Sequence, residues 1–311
     1  PDTVDGLVMD PETTTGAWWP EGQEIPHDVQ AAFNPGVSPL DGIATLSTEW
    51  ILNNMPELTN VNFTMYGPVC MSNAIVVAAE AVGSGLTNTC LVLKGWHNLP
   101  GRYYQGGANA EDTISGDSVW SNPWGESAGT GDAWTFMEYM HKYNVSHDMM
   151  APFAINETRN GLMFPEGFFY QHRPEPLTYE DYVNARWIVK PLNLYDHDMP
   201  IQTAAAYLFT TAERAKDMKQ RPVYILNHAS TYPNFKIRQT LENAEASTDA
   251  TGRKLAQGAG MNTRDLDLEN MYDGFLTFHN YFLEGLGWRG IGRGDALHFY
   301  QGDISIEGPN P

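Results

Sequence analysis

The chain has 311 residues, 42% of them hydrophobic and 18% charged, enough to enclose a sizeable core in one large domain or two moderate ones. Asp and Glu number 38 against 18 Lys and Arg, a formal net charge of -20 at pH 7; that balance repels phosphate backbones and anionic headgroups and argues against nucleic acid or a membrane surface as a partner. No apolar run approaches the roughly 20 residues that span a bilayer, no basic segment leading into an apolar one opens the chain, and two cysteines, Cys70 and Cys90, make no disulfide framework, so we expect a globular protein of the reducing cytoplasm.

In chain order, the alternation of Asn60 to Met65 predicts a strand, the periodicity from Asn73 to Ser84, stopped by Gly85, predicts a helix, and Thr89 to Lys94 predicts a buried strand. That succession implies parallel pairing with a right-handed crossover. Gly101 to Thr130, crowded with Gly, Asn, Ser, Asp, Pro and Trp, reads as ordered loops over a site. A helix is expected from about Asp132 to Tyr143, then mixed helices and aromatic loops from Asn144 to Pro191. Thr203 to Thr210 reads as a strand, Ala212 to Lys219 as a helix, Pro222 to Leu226 as a strand and Thr248 to Gly258 as a helix. Leu268 to Phe275 leaves a strand and enters an amphipathic helix running through Gly285, and Leu297 to Ile306 reads as two short strands around Gly302. No segment repeats at short period. Strands alternate with helices in two halves around a loop-rich insertion, so the class is α/β.

Asp2 to Val8, Ala74 to Gly85 with Leu91 to Gly95, Leu177 to Leu192, Met199 to Ala206, Thr211 to Ala215, and then Met271 to Phe275, Leu283 to Gly287 and Gly292 to Ala296 follow one another as in a known pattern. Together they resemble the thiolase superfamily, in its sterol-carrier-protein-X and lipid-transfer-protein branch. The resemblance implies a layered αβαβα fold of two similar halves with an inserted loop region, assembled as a homodimer. It places an N-terminal half at 1–100, starting after the family's first strand and helix. A loop region with helices follows at 101–198, and a C-terminal half at 199–311 that stops before the family's glycine-rich loop.

Thiolases attack with a cysteine at the start of a helix, whose N-terminus lowers the thiol pKa. Aligned on Ala74 and Gly85, Pro68 stands where that cysteine belongs, Cys70 replaces a serine and Met71 a glycine. Proline attacks nothing, and Cys70 reads as a small buried thiol ahead of a displaced nucleophile. Tyr272-Asp273-Gly274-Phe275 replaces the Asn-Glu-Ala-Phe of thiolases and is similar to the Tyr-Asp-x-Phe motif of steroid side-chain aldolases. The resemblance to those enzymes implies retro-aldol cleavage of a β-hydroxyacyl-CoA, with Tyr272 as base or acid, Asp273 and His97 in support, and Trp96, Cys70, Met71 and Phe275 against the substrate. It also implies a partner subunit combining an OB-fold and a zinc ribbon, with no cofactor on this chain beyond the CoA of its substrate. An acyltransferase using Cys70, and a non-catalytic acyl-CoA-binding homologue, remain as alternatives.

Other residues carry plainer readings. His97 lies just after a strand, where α/β sheets place functional loops, and caps backbone equally well. His279 falls two turns beyond Tyr272 and reads as structural. Tyr195-Asp-His-Asp198 lacks a third ligand at metal spacing, so we expect a solvated turn and no metal. Trp120 to Trp124 and Met163 to Tyr170 read as pocket lining or as interface.

Overall fold

Strands β1 (Gly6–Met9), β2 (Thr14–Gly16) and β3 (Ile43–Thr45) come first, then helix α1 (Thr48–Asn54), β4 (Phe63–Tyr66), α2 (Met71–Gly83) and β5 (Thr89–Trp96). Helices α3 (Ala128–Tyr143), α4 (Ala151–Leu162), α5 (Phe168–His172) and α6 (Tyr179–Val183) precede the short strands β6 (Trp187–Val189) and β7 (Leu192–Asn193). Strand β8 (Thr203–Thr210) and helices α7 (Ala212–Ala215), α8 (Leu241–Ala259), α9 (Leu276–Leu286) and α10 (Ala296–Phe299) follow. The computed structural model describes residues 2–9, 14–16, 43–45, 48–67, 71–96, 128–199, 203–231 and 240–310. Two units divide the chain: Pro1–Thr113 with Met199–Ile225, and Ile114–Asp198 with Leu226–Pro311.

The first unit is built on a four-stranded sheet in the order β4-β1-β5-β8. Its class is α/β with mostly parallel strands: β1 runs parallel to both neighbours and β8 antiparallel to β5. Side chains alternate between faces with the strand period of two. Leu7 and Met9 meet Leu91 and Leu93 on the face carrying Ile51 of α1 and Leu58. Val8, Cys90 and Val92 face the other way, against Ala74, Ala78 and Val82 of α2. Covered on both faces, β1 is an unbroken apolar run, as central parallel strands are. A Cβ on Gly67 would overlap the backbone of Ala74, so the chain leaves β4 for α2 through a position only glycine fits. The Asp5 carboxylate accepts the backbone N–H groups of Asn88 at 2.9 Å and Thr89 at 2.7 Å, pinning the start of β5 beside β1.

The second unit is mainly helical. Phe136, Tyr139, Met150, Phe153, Tyr182, Leu192, Leu283, Trp288, Leu297 and Tyr300 form its core. Helices α8 and α9 cross so closely that a Cβ on Gly252 would strike the carbonyl of Gly285, and one on Gly285 would strike Thr248. At the same crossing Arg293 donates to the Glu245 carbonyl at 2.6 Å, Thr248 Oγ1 at 2.7 Å and Asp249 Oδ1 at 2.6 Å. The buried Glu284 carboxylate accepts from Tyr139 and, at 3.0 Å, from the Ala296 N–H at the start of α10.

Several sequence expectations need correction. The strands at 63–66 and 89–96 are both parallel to β1 but do not pair with each other, because β1 lies between them. Pro222 to Leu226 is extended chain without ladder partners among the described residues, and Val223 is 94% exposed. An apolar run supplies only half of a strand; the other half is a neighbour to bond with. Leu268 to Gly274 likewise forms no strand. The tail holds the short helix α10, and the buried pair Leu297 and Tyr300 carries a helical spacing of three rather than a strand spacing of two. The helix expected to Lys219 ends at Ala215, after Thr211 Oγ1 has capped it.

Candidate active site at the turn before α9

Residues 271–275 form a turn held from both ends. The Met271 N–H donates to Glu269 Oε2 at 3.1 Å. Phe275 caps α9 with extended backbone and forms an antiparallel bridge with His197, while the Asp198 N–H donates to the Gly274 carbonyl at 3.0 Å. Tyr272 is 63% exposed, its ring 5.6 Å from that of Phe278 in the first turn of α9. The same ring lies over Gly274, whose Cα has no room for a Cβ beneath the phenol oxygen. Phe275 turns inward and meets His197 edge-on at 5.1 Å. A phenol is thus presented to solvent on a turn whose neighbouring residues are tied down.

Behind the turn lies a polar chain. His279, 4% exposed, contacts Glu269 Oε1 through Nε2 at 2.7 Å and Tyr300 Oη through Nδ1 at 2.6 Å. Tyr300 donates onward to Asn280 Oδ1 at 2.7 Å. With the phenol proton committed to Asn280, the Tyr300 oxygen accepts from Nδ1 of His279. Phe153 of α4 stacks on both rings, at 4.2 Å from His279 and 4.8 Å from Tyr300.

Three carboxyl groups, Glu269, Glu157 and Asp273, lie around this chain, and the fold treats them differently. Burial would raise Glu269, but hydrogen bonds from His279 and the Met271 N–H outweigh it and hold its carboxyl below the usual range. Glu157 of α4 is pushed up to about 7, first by burial and then by the charges of Asp273 and Glu269. Asp273 is also raised, chiefly by burial and further by Asp198, and accepts a hydrogen bond from Glu157. Tyr300 is raised well above the ordinary tyrosine value by complete burial, so it is a structural hydroxyl and no base.

Tyr272, Asp273 and Phe275, expected from sequence, thus lie in one turn, and His279 stands behind it rather than on a shared surface with Tyr272. Met71 begins α2 and packs half-buried against the Val8 cluster. Trp96 ends β5, paired through its backbone with Thr203. Cys70 and His97 lie outside the described residues, as do Trp120 to Trp124. Cys90 is a buried thiol pushed up to about 12 by burial, far from any nucleophilic range. The run Tyr195 to Asp198 is no solvated turn: Asp196, 1% exposed, accepts from His147 Nε2 at 2.7 Å and from the Tyr182 hydroxyl at 2.5 Å. Among the described residues no group of three His, Cys, Asp or Glu is placed to hold a metal ion, and no helix is long and apolar enough to cross a membrane. Glu157 and Glu269 escaped the sequence reading. The only trace of Glu157 was its spacing of four from the apolar Phe153, which puts both on one helix face.

No family model matches the chain. A curated relative from Mycobacterium tuberculosis, named 17-hydroxy-3-oxo-4-pregnene-20-carboxyl-CoA lyase, is 27% identical over 304 residues, covering 91% of this chain and 77% of its own length. A steroid side-chain-cleaving aldolase from Thermomonospora curvata is 27% identical over 303 residues, 90% of this chain and 76% of the relative. Among solved structures, an Ltp2-ChsH2(DUF35) aldolase superposes with a TM-score of 0.76 at 22% identity, covering 99% of this chain and 72% of the other. A monomeric SCP2-thiolase like protein from Mycobacterium smegmatis gives 0.60 at 12% identity, over 92% of this chain and 54% of its own.

Proposed function

We propose that this protein, which shares the fold of thiolase-like solved structures and is similar to curated lyase and aldolase relatives, is a thiolase-superfamily lyase performing retro-aldol cleavage of a β-hydroxyacyl-CoA with a steroid side chain. The observation that carries the reading is the Tyr272-Asp273-Gly274-Phe275 turn, with an exposed phenol where thiolases hold an amide, in a chain whose curated relatives are named as lyase and aldolase over about nine-tenths of its length.

The chemistry asks little of a nucleophile. A base removes the proton of the β-hydroxyl, the bond between the α and β carbons breaks, the β carbon becomes a ketone, and the thioester enolate takes a proton to leave a shorter acyl-CoA. Tyr272 serves as that base. An unperturbed phenol ionises only near pH ~10. The Tyr272 ring packs on Phe278 in the first turn of α9, and the start of a helix carries partial positive charge. We assign no cofactor to this chain and place zinc only in a partner subunit with an OB-fold and zinc ribbon; a homodimer in the cytoplasm is the assembly we propose. The solved Ltp2-ChsH2(DUF35) aldolase, whose title joins two components, supports the partner.

Tyr272→Phe tests the reading. It removes one oxygen from an exposed ring, so acyl-CoA binding measured by calorimetry is retained while turnover falls by roughly 10²- to 10⁴-fold, the usual worth of general acid–base catalysis. Unchanged turnover, or an acyl-cysteine trapped on the working enzyme by mass spectrometry, refutes it and leaves the acyltransferase.

A further inference from the structure

Tyr272 can act on substrate only while it faces outward, and the segment that carries it forms no ladder among the described residues. On entry the chain is fixed by Trp288, whose Nε1 donates to the Leu266 carbonyl at 3.0 Å, and by Arg289, which donates to the Asp267 carbonyl at 3.1 Å. On exit it is fixed by the Asp198 N–H on the Gly274 carbonyl. Between these anchors exposure alternates: Leu268, Asn270 and Tyr272 face solvent, while Glu269, Met271 and Asp273 turn inward. In a pattern of period two, a slip of one residue exchanges the two sets and buries the phenol.

Apolar packing does not set that register by itself. Leu268, on the outward side, is 71% exposed, and of the inward residues only Met271 is apolar. Glu269 supplies the missing specification. Its Oε1 meets Nε2 of His279 at 2.7 Å, and its Oε2 accepts the Met271 N–H at 3.1 Å. His279 is a fixed post: it is buried, stacked on Phe153, and joined through Nδ1 to Tyr300, which returns to Asn280, the next residue of α9. A carboxylate drawn partly out of water is costly unless its oxygens find donors, and here both oxygens are engaged. One side chain thus bolts the backbone just before Tyr272 to the helix on which the Tyr272 ring packs through Phe278.

Resting on the reading of Tyr272 as the base, we propose that Glu269 is a positioning residue: through His279 and the Met271 N–H it fixes the register of the 268–273 segment and so turns the Tyr272 phenol toward substrate.

Substitutions at Glu269 separate reach from charge. Glu269→Ala lowers kcat by roughly tenfold to a hundredfold, the worth of a small misplacement of a catalytic group, with KM little changed. Glu269→Gln keeps the length, an oxygen for the Met271 N–H and an N–H for His279, and restores most of that loss. Glu269→Asp keeps the charge but falls one methylene short, and stays as slow as Glu269→Ala. The opposite order, Asp fast and Gln slow, overturns the proposal, as does a fall in kcat/KM carried by KM alone. Adding Glu269→Ala to Tyr272→Phe lowers kcat no further than Tyr272→Phe alone, because the first residue works through the second; losses that multiply overturn the proposal. The last readout needs no turnover. Hydrogen exchange followed by mass spectrometry shows the peptide holding Met271 exchanging roughly threefold to tenfold faster in Glu269→Asp than in Glu269→Gln, the worth of one hydrogen bond, and equal exchange refutes the fixed register. Tyr272→Phe at full activity rejects the base and the positioning built on it, whereas a slow Tyr272→Phe beside Glu269→Asp at the wild-type rate rejects the positioning alone.

Discussion

Asp132 tests how far burial rather than helix position governs a carboxyl in this fold. Placed at a helix start, as the sequence suggested, an Asp favours its charged form through the helix dipole. The structure instead begins α3 at Ala128 and puts Asp132 one turn inside, between a buried glycine and fully buried Ala133, near Tyr281 of α9. Burial pushes its carboxyl from 3.8 up to about 7. Between those values the native state binds more protons than the unfolded chain, so the contribution of Asp132 to stability is complete below pH 3.8 and lost as pH rises through 7. From pH 5 to pH 8 that loss spans about two pH units at ~1.4 kcal/mol each, about 3 kcal/mol before residual solvation reduces it. Asp132→Asn never ionises. Its lead in thermal midpoint over wild type, followed by circular dichroism, should widen by roughly 4 to 8 °C between pH 5 and pH 8. Glu157 titrates in the same range in both proteins and cancels from the difference. A pH-independent difference, or a variant less stable at pH 8, would falsify the claim that Asp132 is a buried acid.

Three further outcomes follow from packing. Gly274→Ala displaces the Tyr272 ring that lies over it, so turnover should fall as far as in Tyr272→Phe with the thermal midpoint nearly unchanged; full activity would separate the ring's placement from catalysis. Gly252→Ala drives a methyl into the backbone of Gly285, an overpacking worth about 1 to 3 kcal/mol, and a midpoint equal to wild type would show that α8 and α9 are not in close contact. Cys90, fully buried with its thiol pushed up to about 12, should resist iodoacetamide at pH 8 in the native protein and react after unfolding, as peptide mass spectrometry can follow.

The parts legible in the sequence were those whose pattern is complete in itself. Thr203 to Thr210 is an unbroken run without Gly, Pro or charge that holds Tyr207, Phe209 and two threonines, and β8 has those bounds. Ala74, Ala78 and Val82 repeat at helical spacing, and α2 buries all three. Motif residues in one short stretch, Tyr272 to Phe275, stayed together because adjacency along the chain is adjacency in space. What failed depended on remote partners. Pro222 to Leu226 has a strand's composition but, among the described residues, no ladder neighbour. Asp196 sits in a run of polar residues that looks hydrated until α6 and the segment at 147–150 supply Tyr182 and His147. Glu157 lies 116 positions before Asp273 in a polar stretch of α4, and nothing local distinguishes it from a solvated helix face.

That last pairing bears on why so acidic a chain spends effort on keeping acids neutral. Asp5, in a turn where backbone N–H groups surround its carboxylate, is held below the usual range, the expected state for an acid at the surface. In the helical unit Asp132, Glu157, Asp273 and Glu284 are all raised, each chiefly by burial. Burial alone would be a standing cost at neutral pH, and replacing such groups by apolar ones commonly raises stability. Glu284 offsets that cost with Tyr139, the Ala296 N–H and Arg293, so its role is cohesion.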